Sequence, residues 1–240
     1  MRDFNIFFRN SIADLTYLLD RGYPKKQAIE LVGNRYRLDS EERKILYRGV
    51  FDTQSAVRRK AKQCALSRIE RILIDGYNVL ITLESYLKGK MVFRSLDGFV
   101  RDIAGQYGDY TFDDFTRRSA GLLVQFITSG VIKSSKHFTG GVLFLDYPVS
   151  KSGELAAYLR RLFDNVHLSI EVSAVQSPDF MIIKGGVQKG TAVASSDTVI
   201  LEKVSLVCDV PAFIIGTIFG KKIPDLGNLS APESADDAAQ

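Results

Sequence analysis

Histidine and cysteine are scarce, two of each in 240 residues, and that scarcity removes whole classes of chemistry. Cys64 and Cys208 stand far apart in the chain, so neither a thiolate zinc site nor a disulfide framework is available. Both read as small core residues. His137 and His167 are too few for a histidine-rich metal site or a pair of catalytic imidazoles. Any metal is therefore expected to be hard and oxygen-bound. Tryptophan is absent, which decides little. No uncharged run approaches the roughly 18 residues that a membrane span needs. Residues 1–19 carry acids among their apolar positions, unlike a secretory signal. A cytoplasmic protein with no membrane partner is expected. Gly185, Gly186 and Gly190 read as a flexible loop and have neither dinucleotide-fingerprint spacing nor a Walker lysine.

What is present is an ordinary globular composition with an uneven charge distribution. The 45% hydrophobic and 25% charged fractions suit a folded chain able to hold one α/β domain and a smaller module. Residues 1–72 hold 16 Lys and Arg against 9 Asp and Glu, a balance of +7; the rest holds 16 against 19, a balance of −3. Such a split points to a polyanion-facing segment attached to a neutral or acidic body.

The front segment, residues 1–70, has the periodicity of a small helical bundle. Phe4, Phe8, Ile12, Leu15 and Leu19 recur at helical spacing, and Pro24 opens a second helix that Gly33 is expected to end. Asp39 and Glu42 have the spacing of a capping box at the start of a third helix. A fourth helix is expected over residues 54–70, with Val57, Ala61, Cys64, Ala65 and Ile69 inward and Arg58, Arg59 and Lys62 outward. With Arg35, Tyr36 and Arg37 in the preceding loop, this is the best RNA-binding surface in the sequence: guanidinium groups for phosphates and a tyrosine for a base. A plain solvated helical face is the alternative.

The chain is organised around residues 71–80. Ile72, Leu73 and Ile74 read as a buried parallel strand that delivers Asp75 at its carboxyl end, where Gly76 lets the backbone turn sharply. Residues 81–87, 96–103 and 115–131 read as helices. Residues 142–145 form a second apolar strand, again ending in an acid, Asp146. In the following PVSKSG loop, Lys151 either meets a phosphate or merely precedes a helix capped by Ser152. Residues 167–175 and 191–194 read as further strands, a helix or turn starts at Asp179, and residues 210–219 form a last strand or buried helix. From residue 227 the tail is expected to be disordered.

Asp75, Asp146, Asp179 and Asp197 each follow a strand or open the next element. In a parallel sheet such positions share one edge. Carboxylates brought together repel one another unless a divalent cation neutralises them, and oxygen ligands alone select Mg²⁺ or Mn²⁺. Metal-assisted phosphodiester hydrolysis fits such a group. Taken singly, each acid also fits a helix cap or a turn.

The spans LIDGYN (73–78), LFLD (143–146), PDFMI (178–182) and VASSD (193–197) resemble the four acidic motifs of the PIN-like nucleases, closest to the NYN branch. The resemblance covers roughly residues 70–210. It implies a three-layer α/β/α parallel sheet behind a small N-terminal all-α module, and Mg²⁺- or Mn²⁺-dependent RNase activity. The four acids would be metal ligands, directly or through water, and Asn78 and Ser196 would orient substrate or neighbouring groups. The whole chain also resembles an uncharacterised, largely archaeal family joining a helical module to a PIN-like domain. A haloacid-dehalogenase phosphatase would need a second Asp where this chain has Tyr77. The expected division is a helical module over 1–70, a PIN-like domain over 71–226 and a tail over 227–240. A metal-dependent ribonuclease is the leading reading, an RNA-binding protein with an inactive site the alternative. A homodimer is left open.

Overall fold

The computed structural model describes residues 4–104, 110–149 and 151–229. Four helices open the chain: α1 (Ile6–Asp20), α2 (Lys25–Arg35), α3 (Ser40–Gly49) and α4 (Thr53–Lys60). Asn5 and Asp52 cap α1 and α4, and the expected Asp39–Glu42 capping box starts α3. Gly33 does not end α2. It lies inside the helix, and the Arg43 guanidinium rests against it. Phe8, Ile12, Leu15, Val32, Ile45 and Leu46 form the core of this bundle.

The chain then runs through β1 (Arg71–Asp75), α5 (Gly76–Leu87), β2 (Val92–Arg94) and β3 (Val100–Asp102). α6 (Asp114–Gln125) passes through a π-helical stretch, Phe126–Val131, into α7 (Ile132–Ser134). β4 (Gly140–Asp146), α8 (Ser152–Asp164), β5 (Ile170–Val175), α9 (Pro178–Gly186), β6 (Thr191–Ala194), α10 (Thr198–Lys203) and β7 (Leu206–Val207) follow. The end is α11 (Val210–Phe213), a π-helical stretch at Ile214–Ile218, and α12 (Leu226–Leu229).

Five strands make one parallel sheet in the order β5-β4-β1-β6-β7, with β1 at its centre. Successive side chains of a strand point to opposite faces, so each face has its own core. Ile72 and Ile74 pack with Leu143, Leu145, Leu80, Leu123 and Leu159 beneath α5, α6 and α8. Leu73 packs with Val142, Val193, Ile182 and Ile200 beneath α9 and α10. The protein is thus an α/β fold with helices on both faces of a parallel sheet. Among the described residues no helix is long and apolar enough to cross a membrane.

Four local expectations are corrected. Residues 96–103 are the turn and second strand of a β-hairpin, not a helix: β2 and β3 pair antiparallel around the turn at Asp97–Gly98. α4 stops at Lys60 because the chain then runs beside β7, Cys64 N–H donating to Val207 O and Val207 N–H to Lys62 O. Gly185 and Gly186 belong to α9, where a side chain would overlap Leu73 and Val193. Residues 227–229 are helical, and Leu226 is buried in the core of the front bundle beside Phe93. Residues 230–240 of the expected tail lie outside the described residues.

The burial of α4 is the reverse of its hydrophobic pattern. Ala56 and Arg59 face inward while Val57 is 64% exposed. Arg59 Nε donates to Asp97 Oδ2 at 2.8 Å and Arg59 Nη1 to Glu202 Oε1 at 2.9 Å. Arg101 grips the other side of Asp97, at 2.6 and 2.9 Å. Burial acts to raise the Asp97 carboxyl, but Arg101 and Arg59 hold it below the usual carboxylate range. Asp97 is fully buried, and removing one member of such a network strands the others as buried charges. Asp97→Ala is expected to cost about 3–5 kcal/mol, read as a lower midpoint in chemical denaturation; an unchanged midpoint would deny the network its role.

Candidate active site

β1 ends where α5 begins, so Asp75 is both the strand tip and the helix cap. Its Oδ1 accepts from Asn78 N–H at 3.4 Å and its Oδ2 from Ser195 Oγ at 2.8 Å. Gly76 serves a close approach, not the sharp turn expected of it: a Cβ there would lie 2.7 Å from the Phe144 carbonyl oxygen of β4. β4 ends at Asp146, Asp179 stands in the first turn of α9 after β5, and Asp197 caps α10 after β6. The Asp197 carboxylate accepts from the N–H groups of Val199 and Ile200 at 2.8 and 3.1 Å. Asn78 Oδ1 accepts from Ser196 N–H at 2.9 Å and Ser196 Oγ at 3.1 Å, which fixes the tip of β6 against the start of α5.

The acids sense one another. Asp75, 4% exposed, is pushed up to about 7 by burial and by Asp179 and Asp197, against the hydrogen bonds from Ser195 and Asn78. Burial and Asp179 raise Asp146; burial and Asp197 raise Asp179. Tyr77 is pushed up to about 12 by burial and by Asp146. Among the described residues none of the four acids has a salt bridge. Nor do any three Asp, Glu, His or Cys side chains stand close enough to hold one metal ion. The donor set is all oxygen and short of positive charge, the chemistry a hard cation prefers.

The expected RNA stripe is not a free surface. Arg58 pairs with Glu202 at 2.8 Å, Arg59 is buried in the Asp97 network, and Lys62 Nζ donates to the carbonyls of Leu201 and Glu202 at 2.6 and 2.8 Å. These cations tie the front helices to the last turn of α10, where orphan carbonyls attract positive charge. Arg35 lies 3.7 Å from Asp14, Tyr36 Oη donates to Asp14 at 2.8 Å, and Arg37 is exposed at a left-handed φ of 51°. Lys151 is exposed, also left-handed, at the head of α8 and makes no capping bond; Ser152 Oγ donates to Tyr147 O. Ser150 of that loop lies outside the described residues.

Sequence reasoning missed Asp97 and Arg101. Arg101 Nε and Nη2 donate to the Ser196 carbonyl at 3.1 and 2.8 Å, so the hairpin holds the backbone next to Asp197. The Asp-Gly pair between Phe93 and Phe99-Val100 was the available signal, since such a dipeptide between apolar runs marks a hairpin. Lys25, Tyr47 and Arg48 were also missed. They come from the front bundle and line a cleft of about 400 Å³ with Asn78, Ser196 and Asp197. No sequence pattern links residues so far apart.

In metal-free protein, an Asp75 carboxyl raised from 3.8 to about 7 contributes stability below its unfolded value and loses it as pH rises through the folded one. Asp75→Asn keeps the acceptor for Ser195 and removes the charge. Its Tm in EDTA is expected to exceed that of the wild type by several degrees at about pH 8, with the gap closing towards about pH 4. Parallel Tm curves would show that Asp75 does not titrate in this range.

Comparison with known proteins yields two family models and one relative. A model described as a domain of unknown function (DUF5616) matches residues 65–213, and one described as a protein of unknown function (DUF434) matches residues 7–62. The chain is 32% identical over 203 residues to the Uncharacterized protein MJ0935 of Methanocaldococcus jannaschii, covering 83% of this chain and 92% of that one. No solved structure matches. The junction of the two models falls at residues 62–65, where the chain leaves α4 to run beside β7. With the acid-bearing sheet inside the first match and the front helices inside the second, this chain belongs to the DUF5616 family and carries a DUF434 region ahead of it.

Proposed function

We propose that the acidic edge is a divalent-cation site that hydrolyses phosphodiester bonds in RNA, single-stranded or structured, as its PIN-like motifs imply. The observation that carries this reading is electrostatic. Asp75, Asp146 and Asp179 are raised by burial and by neighbouring carboxylates, Asp179 and Asp197 among them, and none of the four acids has a salt bridge among the described residues. Asp75, Asp146, Asp179 and Asp197 would hold Mg²⁺ or Mn²⁺, directly or through water; Mg²⁺ in particular keeps several of its waters. When bound, the ion supplies charge neutralisation at the phosphate and activation of a water.

The chain's own residues supply the frame. Ser195 Oγ donates to Asp75 Oδ2 and accepts from Asp197 N–H at 3.1 Å, so one hydroxyl links the first and last acids. Asn78 locks Ser196, and Arg101 locks the Ser196 carbonyl. The alternative, an RNA-binding protein with a silent site, draws on the +7 balance of the front half; part of that charge, at Arg58, Arg59 and Lys62, is engaged internally, which favours the nuclease reading.

The test is cleavage of labelled single-stranded RNA in Mn²⁺ by wild type and Asp75→Asn, with Mn²⁺ binding followed by calorimetry. Losing one carboxylate of the site is expected to lower the rate about a hundredfold or more and to weaken Mn²⁺ binding. A folded Asp75→Asn protein that cleaves at the wild-type rate would sink the proposal.

A further inference from the structure

In the cleft that Asp197 lines, the front bundle presents two cations, Lys25 and Arg48, whose donors are incompletely matched among the described residues. Lys25, the first residue of α2, holds its Nζ 4.1 Å from the Phe51 ring centre and 5.4 Å from that of Tyr47. No carboxylate among the described residues forms a salt bridge with it. Burial, then Arg101 and Arg59, push its ammonium down to about 7. Arg48, on α3, reaches Asp102 only at 4.0 Å, and its buried Nε finds no hydrogen-bond acceptor. A buried donor without a partner is costly, and a buried cation more so. Arg101, in the same wall, is already saturated by Asp97 and the Ser196 carbonyl.

The opposite wall of the cleft is Asn78, Ser196 and Asp197. A phosphate drawn towards this edge is repelled by the acids themselves, so its anchor must lie on the facing side. We propose that the cleft is a phosphate subsite in which Lys25 and Arg48 grip a phosphate group of the substrate strand. Tyr47, 60% exposed at the mouth, offers its ring to the attached base. An adjoining cleft shares Tyr47 and Arg48 and adds Lys44, one turn back along α3, so the same helix continues the positive track. The ligand's identity as a nucleic-acid phosphate rests on the ribonuclease reading; the anion site itself rests on Lys25, which has no salt bridge among the described residues, and on the unsatisfied Nε of Arg48.

The test is equilibrium binding in EDTA, where no metal contributes. The probes are inorganic phosphate and a pentanucleotide with either a 5′-phosphate or a 5′-hydroxyl. Wild type is expected to bind all three in a salt-sensitive way. Lys25→Met and Arg48→Met are each expected to weaken phosphate about tenfold or more, the scale of one charge-assisted hydrogen bond. Lys25→Met should also hold or raise the Tm, because it removes an unpaired, half-buried cation; Arg48→Lys stands in if Arg48→Met does not fold. If the variants erase a preference for the 5′-phosphorylated strand, the subsite takes a terminal phosphate. If both strands weaken equally, it takes an internal phosphodiester. The proposal falls if wild type binds none of the probes, or if Lys25→Met and the folded Arg48 variant bind phosphate as wild type does. Full cleavage by Asp75→Asn would sink the nuclease reading and leave this readout standing.

Discussion

A single buried carboxylate, Asp97, organises the contact between the two halves of the chain. It receives Arg59 from the front bundle and Arg101 from the hairpin, while Ser95 Oγ donates to it at 2.6 Å. Two guanidinium groups against one carboxylate would leave excess positive charge in a buried place, and Glu202 on α10 offsets part of it through Arg59. Arg101 then carries the constraint onward to the Ser196 carbonyl. The position of the last acid therefore depends on an ion network whose members come from α4, the hairpin and α10. Without Asp97 the fold would hold two buried arginines close together, with only Glu202 and the Ser196 carbonyl to engage them.

The charges around the cleft fall into two self-repelling groups. On the sheet edge Asp179 and Asp197 make it harder for Asp75 to ionise, and on the facing wall Arg101 and Arg59 make it harder for Lys25 to stay charged. Each group is incomplete alone. Asn78 and Ser196, neutral and mutually bonded, line the same cleft. A metal ion on one side and a phosphate on the other would relieve both strains together, which is the electrostatic logic of the proposed chemistry.

The front bundle and the sheet also share apolar packing. Phe93 from β2 and Leu226 from α12 sit in the bundle's core, and Gly49 at the end of α3 is bare because a Cβ would run into both. Leu96 N–H donates to Gly49 O at 2.9 Å, and Arg94 N–H to Pro224 O at 2.7 Å. The hairpin is thus the element on which the bundle rests, and the same hairpin supplies Asp97 and Arg101.

Local rules made part of this legible in advance. The apolar run before Asp75, the repeated pattern before Asp146, the Asp39–Glu42 box and the turn signal at Pro178 are each written within a few residues, so the central strands, the α3 start and the four acids at one edge follow from the sequence. Burial of charge was not legible. On α4, periodicity pointed Arg59 outward and Val57 inward, and the reverse holds because Arg59 finds Asp97 and Glu202, 38 and 143 residues away. Hydrophobic pattern assigns a face on the assumption that charges go to water, and it cannot see an anion arriving from another element. The same reason hid the cleft: Lys25 and Arg48 are ordinary surface cations in the sequence, and only the packing of the bundle against the sheet edge brings them into one cleft with Asp197 and leaves Arg48 Nε without an acceptor.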